Sequence, residues 1–467
     1  MESFSSLQEN NENNIYEDKT VENNNINIED NNTEIEEYQE LEPELDLFEE
    51  INQKDIEIIE IEDENEENWE NWENEDNNED EMEDIKPGLF NTGNTCFINS
   101  TLQCLSVSPF INQFIKKYTN DDIIMIKCIN KYGLGKLKIP DIPEFIDKIL
   151  TEHEKNNIEI DEFNILNRIA KNTGDIFIYI CFKEIMQVLQ QRETAILNCK
   201  TFLLVAKEIS QNSGFQHLFT GEQNDPHEFM AFLLDKIHNS KSCHVNIEIP
   251  ANIDDIYKLK YLEHFKERYQ NDFSLFVKNL YYYILNIVEC NVCKYQSIEV
   301  SPSDIICVPL PDSWIQTPII KLEDCIHQLF NIELISYKCE KCNNTTNNKL
   351  DKKILTKPKT LIIKLKRYTQ YNGNLVKVNK MIQYPELLDI SQYYCGSSLK
   401  QFKLYGVINH IGSLNGGHYY SYVRDFKEND EFGDTWYLCN DSNTRIMQSV
   451  EVMNSVNAYI LFYHSLP

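Results

Sequence analysis

The composition of the chain changes abruptly near residue 86, and this break decides which part of it can fold. Residues 1–86 contain 34 Asp and Glu against three Lys, in low-complexity runs such as "ENNENN" and "EENWENWENEDNNEDEMED". Such a segment buries too little apolar surface to offset the chain entropy lost on folding. We predict a disordered acidic tail over 1–86 and a folded body over 87–467.

The folded body is nearly neutral, although the whole chain carries a net charge of −33. Residues 87–467 hold 42 acidic and 40 basic side chains, without the basic stripe expected of a nucleic-acid-binding protein. The apolar run "IFIYICF" (176–182) is far shorter than the ~20 residues that span a bilayer. Because "MESFSSLQEN" lacks the features of a signal peptide, we expect an intracellular protein of the cytosol or nucleus, with no membrane or nucleic-acid partner.

Helical periodicity comes first along the body, and strand-like patterns follow. Helix-like periods occur in "CFINSTLQCLSV", "IFIYICFKEIMQVLQQ", "TFLLVAKEI" and "DPHEFMAFLLDKIH". Strand-like runs include "YYYILNIVEC", "TLIIKLKRY", "KLYGVINHIG", "YYSYVRD", "TWYLCND" and "AYILFY". This order predicts an α+β protein with a helical lobe and an antiparallel sheet lobe.

The stretch "GLFNTGNTCFINSTLQCL" (88–105) places a glycine-containing turn directly before Cys96 and a helix after it. Gly93 permits an unusual backbone conformation in that turn. Thiols at helix N-termini are favoured as thiolates, the nucleophilic form. We therefore predict an exposed, activated Cys96, with Asn91 five residues upstream as a donor to an oxyanion. The alternative is a core cysteine, because cysteines are among the most buried residues.

A cysteine nucleophile needs a base, and "YGVINHIGSLNGGHYYSYVRD" (405–425) offers the best-supported histidine of the chain. His418 follows a glycine pair at the start of a strand, and His410 is the weaker candidate. The next strand, "WYLCNDS", supplies Asn440 and Asp441 as acceptors that orient an imidazole. Because adjacent side chains of a strand point to opposite faces, the two cannot both face the imidazole if the strand stays regular.

Four cysteines are spaced as metal ligands. Cys290 and Cys293 form one Cys-x-x-Cys pair, and Cys339 and Cys342 form another. Two such pairs suit a tetrahedral structural zinc without a catalytic task. Four reduced surface thiols are the alternative, whereas a redox pair lacks the surrounding βαβ pattern.

Together these motifs resemble the ubiquitin-specific proteases. "GLFNTGNTCFINSTLQCL" is similar to the cysteine box of that family, and "YGVINHIGSLNGGHYYSYV" with "WYLCND" is similar to the histidine box. "QNDPHEFMAFLLD", "LEDCIHQLF" and "PKTLIIKLKRY" resemble further signatures of the family in their usual order. The resemblance covers about residues 90–467.

The resemblance implies a papain-like fold and thiol-dependent hydrolysis at the C-terminal glycine of ubiquitin. It makes Cys96 the nucleophile, His418 the general base and Asn440 the third member of the triad. Asp441 matches an acidic neighbour that the family often needs, and Asn91 matches the oxyanion-hole asparagine. The fold implied is a helical thumb (about 90–240), zinc-ribbon fingers (about 280–350) and a palm.

The resemblance also assigns a site for the basic tail of ubiquitin. Asp225, Glu228 and Tyr419 match tail-binding positions, and carboxylates pair well with arginine. Asp225 alternatively caps a helix, since "NDPHEF" reads as an Asp cap followed by a Pro in the first turn, and both roles are compatible. Pro226 departs from the family's usual small residue, and residues 131–166 look like an insertion.

Two alternative functions stay open. One is a catalytically silent scaffold that binds ubiquitin, although every matched catalytic position is filled. The other is a protease for SUMO or another ubiquitin-like protein, because "DIEIIEIED" (55–63) resembles a SUMO-interacting motif with alternating isoleucines and acids. The alternative interpretation of these residues is a low-complexity acidic tail with no specific partner.

Overall fold

The folded body has most of its helices in its first half and most of its strands in its second, as the sequence predicts. The computed structural model describes residues 86–116, 120–151, 158–191, 195–211, 213–371, 373–396, 399–413, 416–426 and 432–466. The predicted acidic tail, with its 55–63 motif, lies outside these residues apart from Lys86.

The helical part surrounds one central helix, α1, which begins at Cys96. The helices are α1 (Cys96–Ser106), α2 (Pro109–Lys116), α3 (Asn120–Lys131), α4 (Ile142–Thr151), α5 (Ile160–Lys171), α6 (Thr173–Leu189), α7 (Lys200–Ser210), α8 (Pro226–Lys241), α9 (Ile256–Tyr269), α10 (Leu275–Leu280), α11 (Leu322–Phe330) and α12 (Ser449–Met453). All eleven residues of α1 are buried, since the helix lies between α6, α8 and the large sheet. The sequence predicts only one buried face, because periodicity does not reveal that a helix is enclosed on all sides.

Within the residues that the structure describes, the strands form one large and one small sheet besides three short pairs. They are β1 (Gly88–Leu89), β2 (Ile196–Leu197), β3 (Tyr282–Glu289), β4 (Gln296–Ser303), β5 (Ile306–Val308), β6 (Ile319–Lys321), β7 (Glu333–Lys338), β8 (Thr345–Ile354), β9 (Thr360–Leu365), β10 (Tyr368–Tyr371), β11 (Asn374–Lys377), β12 (Met381–Gln383), β13 (Leu387–Asp389), β14 (Gln401–Ser413), β15 (Gly416–Phe426), β16 (Phe432–Asn440), β17 (Asn443–Met447) and β18 (Ala458–Ser465). This mixture of helices and sheets confirms the predicted α+β class.

The large sheet has the strand order β17-β16-β15-β14-β18-β9-β5, and β13 pairs with β14 outside this path. Its pairs are antiparallel except for β5 with β9 at one edge. Helix α1 packs on β14, β15 and β16, where Phe97 and Leu102 share a core with Tyr405, Ile408 and Val423. The start of α1 therefore lies against the strands that carry the predicted histidine and its acceptors.

The predicted insertion, 131–166, belongs to a helical unit with a core of its own. Helices α3, α4 and α5 surround a separate apolar cluster that includes Met125, Ile142, Ile146 and Leu166. Ile176 at the start of α6 joins the same cluster and connects it to the rest of the helical part. The small sheet, in the order β4-β3-β8-β7, lies between the helical part and the large sheet along the chain.

Candidate active site

The turn before Cys96 is held by the side chain of Asn91. Gly93 has φ of 112° and Asn94 has φ of 55°, so the chain enters the left-handed region directly before the helix. The Asn91 Oδ1 atom accepts hydrogen bonds from the backbone N–H groups of Gly93 (3.0 Å) and Thr95 (3.1 Å). The unusual turn predicted from Gly93 is confirmed, and Asn91 proves to stabilise it.

Cys96 is only 2% exposed, so the prediction of an exposed thiol is wrong. The thiol is covered because α1 is enclosed by its neighbours, and one of the groups against it is the imidazole of His418. His418 itself retains 40% of its side-chain surface. The thiol therefore borders an accessible imidazole and is not simply a core residue, in contrast to Cys104, two turns later on the same helix, which is fully buried.

His418 lies on β15 and is oriented by Asn440 at the end of β16. Its Nε2 atom lies 2.5 Å from the Asn440 Oδ1 atom, which accepts the ring proton. A hydrogen bond with Cys96 raises the pKa of His418 to about 9, and the bond to Asn440 acts in the same direction against the effect of burial. The imidazole is thus a strong proton acceptor held between a thiol and an amide oxygen.

Asp441 also faces this site, because the chain leaves the strand conformation there. Its φ is 51°, which ends the regular alternation of side chains directly after Asn440. Its Oδ2 atom lies 4.0 Å from His418 Nε2, too far for a hydrogen bond. The condition of a regular strand therefore fails at Asp441, and of the two residues Asn440 makes the hydrogen bond to His418.

The carboxylate of Asp441 instead binds two amides. Asn91 Nδ2 donates to Oδ2 at 2.8 Å, and Asn99 Nδ2 donates to Oδ1 at 2.8 Å. The Leu89 N–H also donates to the Asp441 backbone carbonyl at 2.8 Å. Asp441 therefore fixes the segment that carries Asn91 and connects it to the strand end that carries Asn440.

Asn99 is the site residue that sequence reasoning missed. It is 3% exposed and lies one turn after Cys96 on α1, within hydrogen-bonding distance of Asp441. An amide side chain one turn after Cys96 in the uncharged stretch "CFINSTLQCL" is the signal that could have identified it, since buried amides need partners.

His410 does not belong to this arrangement. It is 4% exposed and packs against Tyr419, with ring centroids 4.6 Å apart, and burial lowers its pKa to about 4. A Cβ atom on Gly417 would lie 2.3 Å from the His410 Nε2 atom. The glycine before His418 therefore makes room both for the His410 ring and for the backbone of β14, since the Ile411 carbonyl oxygen would also lie 2.3 Å from that Cβ atom.

The predicted tail-binding residues surround the start of α8. Asp225 caps this helix, since its Oδ1 atom accepts the His227 N–H at 2.8 Å, which confirms the predicted cap. Glu228, one turn later, lies 2.9 Å from the His217 imidazole, and both side chains are about half exposed. Tyr419 follows His418 on β15 and is 8% exposed.

The four predicted metal ligands converge at one end of the small sheet. Their Sγ atoms all lie within 4.8 Å of one another, with 3.7 Å between Cys290 and Cys342 and 3.6 Å between Cys293 and Cys339. A tetrahedral zinc with Zn–S bonds of ~2.3 Å requires S···S distances of roughly 3.8 Å. The donor set and its spacing therefore fit a closed tetrahedral metal site.

Both Cys-x-x-Cys pairs share one backbone shape. The residue after each pair, Lys294 or Asn343, has a positive φ (60° and 57°). Its N–H donates to the carbonyl of the first cysteine at 2.9 Å in both turns. One turn joins β3 to β4 and the other joins β7 to β8, so a bound metal would clamp two hairpins together.

The helix that carries the thiol and the sheet that carries the histidine and the asparagine together define a papain-like cysteine-protease fold. The model of the family described as ubiquitin carboxyl-terminal hydrolase matches residues 87–463. The chain belongs to this family, which confirms the resemblance found in the sequence.

Two curated relatives illustrate the similarity. Ubiquitin carboxyl-terminal hydrolase 25 of Arabidopsis thaliana is 26% identical over 388 residues, which cover 80% of this chain and 47% of the relative. Ubiquitin carboxyl-terminal hydrolase Usp2 of Drosophila melanogaster is 25% identical over 399 residues, which cover 82% of this chain and 35% of the relative. The chain thus spans less than half the length of these relatives.

Solved structures of the SAGA DUB module with Ubp8, Sgf11, Sus1 and Sgf73 share the fold. The module bound to ubiquitin aldehyde gives a TM-score of 0.55, and the one bound to monoubiquitin gives 0.53. Both matches have 21% identity and cover 83% of this chain and 71% of the other.

Among the helices of the described ranges, none has the length and apolar composition needed to cross a membrane.

Proposed function

We propose that this protein hydrolyses the isopeptide or peptide bond after the C-terminal glycine of ubiquitin. The observation that carries the proposal is the contact of the His418 imidazole with both the Cys96 thiol and the Asn440 amide oxygen. Membership of the ubiquitin carboxyl-terminal hydrolase family supports ubiquitin and ubiquitinated proteins as partners.

In the proposed reaction, the Cys96 Sγ atom attacks the carbonyl carbon of the scissile bond and the thiol proton passes to His418. The tetrahedral intermediate collapses when His418 gives this proton to the leaving amine, which leaves a thioester on Cys96. Water then attacks the thioester, loses a proton to His418 and releases the carboxylate with the regenerated thiol. Asn440 keeps the imidazole in one tautomer and orientation throughout.

Asn91 is the proposed donor to the oxyanion that forms during each attack. A carboxamide nitrogen carries two protons, and Asp441 accepts one of them. The other is then available for the oxyanion, and a donor of this kind contributes ~3 kcal/mol to transition-state stabilisation. Asp441 would act through the position of Asn91 and not by direct contact with His418.

The rest of the fold would grip ubiquitin. In this proposal, residues 90–240 form the thumb, residues 280–350 form the fingers and the remainder of the body forms the palm. One structural zinc per chain would be held by the four-cysteine cluster, where it joins the two hairpins of the fingers. Glu228, Asp225 and Tyr419 would line the path of the ubiquitin tail. The compartment we propose is the cytosol or the nucleus, where ubiquitin conjugates occur.

The test is a side-by-side assay of the purified chain on ubiquitin-fluorophore and SUMO-fluorophore substrates. We expect release of the fluorophore from ubiquitin at a kcat/KM at least about a hundredfold above that for SUMO, because specificity is a difference of affinities. Preferential cleavage of SUMO would overturn the choice of modifier. Binding of ubiquitin without any cleavage would identify a silent scaffold.

Replacement of Asn440 by alanine should change both the rate and its pH dependence. Because Asn440 supports the raised pKa of His418 (about 9), its removal lowers that pKa. Because the protonated imidazole gives its proton to the leaving amine, the alkaline limb of kcat/KM follows the pKa of His418 and should move to lower pH, with a rate loss of about tenfold or more at neutral pH. Asn440→Asp keeps an acceptor and should retain much of the rate.

The matched control is Asn443→Ala, which should behave like the wild type. Asn443 is an exposed asparagine on β17 and pairs with Asn440. An unchanged rate and pH profile for Asn440→Ala, combined with an inactive Asp441→Ala, would make Asp441 the acceptor of the His418 proton instead.

A further inference from the structure

Asp225 already forms an ion pair with a lysine of the same chain. Lys364 on β9 places its Nζ atom 2.6 Å from Asp225 Oδ2, and the Tyr459 hydroxyl donates to the same oxygen at 2.6 Å. Oδ1 accepts the His227 N–H of the helix cap. Both oxygens of Asp225 are thus bonded, one of them to a full positive charge, before any substrate arrives.

The ion pair is largely shielded from water. The side chains of Lys364 and Asp225 are only 16% and 26% exposed, and the ammonium also lies 5.4 Å from the centroid of the Tyr459 ring. Burial opposes ionisation of Asp225, yet Lys364 and Tyr459 hold the pKa of its carboxyl below the usual value. Removing one partner of such a pair leaves a poorly solvated charge, so displacement of Lys364 by an incoming cation is costly.

Asp225 nevertheless lies beside the catalytic candidates. Gln223, two residues earlier, is clamped to Gly417: its Oε1 atom accepts the Gly417 N–H at 2.6 Å and its amide donates to the Gly417 carbonyl. Gly417 directly precedes His418. Besides burial, the charge of Asp225 raises the pKa of Tyr419, the residue after His418. The pair therefore lies along the path expected for a tail that reaches Cys96.

Glu228 presents a different carboxylate to the same path. Its partner is the His217 imidazole at 2.9 Å, and the two side chains are 52% and 47% exposed. An imidazole is charged only when protonated, and an exposed ion pair contributes little to stability. A substrate arginine can replace His217 at small cost, whereas at Asp225 it meets the charge of Lys364.

We propose that Lys364 substitutes within the protein for one cation of the substrate tail, so that of the two carboxylates Glu228, and not Asp225, selects for positive charge. This inference rests on the proposed function of the site. Its consequence is a broader substrate class: the site accepts a ubiquitin-like modifier whose tail carries a neutral residue where it passes Asp225. Lys364 is then a specificity-determining residue, because the charge it supplies removes the need for a matching charge on the substrate.

The test uses ubiquitin-fluorophore together with variants in which each tail arginine is replaced in turn by alanine. For the wild-type enzyme we expect one arginine-to-alanine variant to keep kcat/KM within about threefold of the parent and another to lose about tenfold or more, the size of a charge-assisted hydrogen bond. With Lys364→Met, the tolerated variant should also lose about tenfold relative to its parent.

Lys364→Arg keeps the internal cation and should retain the wild-type pattern. Lys366→Met, at an exposed lysine two residues along the chain, is the matched control for a lost charge and should also retain it. The wild-type comparison needs no variant of the enzyme, so it can refute the inference even if Lys364→Met does not fold.

A loss of about tenfold for every arginine variant in the wild type would overturn the inference, because Asp225 would then bind a substrate arginine in spite of Lys364. An unchanged pattern in folded Lys364→Met would overturn it as well. Both results leave the proposed function intact. Failure to cleave the parent substrate would instead refute the proposed function, and this inference with it.

Discussion

Replacing Cys96 with alanine should abolish hydrolysis of ubiquitin-fluorophore and leave ubiquitin binding unchanged. The sulfur is the attacking atom in the proposed reaction, and loss of a nucleophile reduces kcat by about 10⁴-fold or more in cysteine- and serine-type enzymes. Binding survives because alanine fills most of the buried site of Cys96 and α1 keeps its packing. The measurements are kcat on the fluorogenic substrate and the Kd for ubiquitin.

Cys104→Ala is the matched control for this experiment. It removes a fully buried thiol from the same helix, so it should lower the melting temperature through a small cavity while catalysis persists. Residual activity of Cys96→Ala within about tenfold of the wild type would contradict the role assigned to Cys96. So would an inactive but folded Cys104→Ala paired with an active Cys96→Ala.

Replacing Cys339 with serine should release the metal and weaken ubiquitin capture. The four cysteines connect the turn between β3 and β4 with the turn between β7 and β8, so loss of one ligand frees the two hairpin ends from each other. Structural zinc contributes its binding free energy to the folding of the segment that holds it. We expect about one zinc per wild-type chain, clearly less in the variant, and a rise of about tenfold or more in the Kd for ubiquitin.

Cys243→Ser, at an exposed cysteine outside the cluster, should keep both the metal content and the Kd. A wild-type protein that contains no zinc and yet is fully active, with a melting temperature unaffected by chelators, would show that the cluster has no structural metal.

The sequence predicted the parts of the site that follow from local chemistry. The turn before Cys96, the helix after it and the cap at Asp225 depend on residues adjacent in sequence, whose conformational preferences act locally. The paired cysteines were recognisable because thiolates are frequent zinc ligands and each pair lies within one tight turn. His418 could be selected because it follows a glycine pair at the start of a strand, whereas the choice of Asn440 over Asp441 came from the resemblance to the family.

The contacts between distant segments could not be predicted in the same way. Asp441 faces Asn91 and Asn99 only because its backbone adopts a φ of 51°. Asp tolerates the left-handed region, but its presence in a sequence does not predict that conformation. The pairing of Lys364 with Asp225 joins residues 139 positions apart, and no local pattern distinguishes Lys364 from the exposed lysine two residues later.

The burial of Cys96 was missed for a related reason. Periodicity indicates which face of a helix is apolar, but the enclosure of α1 by α6, α8 and the sheet depends on tertiary packing. Asn99 can be buried there because its amide finds a partner in Asp441, 342 positions away in the sequence, which no local pattern reveals.

The most direct test of the proposed function is to treat the wild-type protein with a ubiquitin whose C-terminus carries a thiol-reactive electrophile, and to map the adduct by mass spectrometry. The Cys96 thiol is hydrogen-bonded to the imidazole of His418, so it should react in preference to the other thirteen cysteines of the chain. We predict one ubiquitin per chain, attached at Cys96, and none after replacement of Cys96 by alanine. Attachment at Cys104 or another cysteine, or no adduct with the folded protein, would contradict the assignment of Cys96 as the nucleophile.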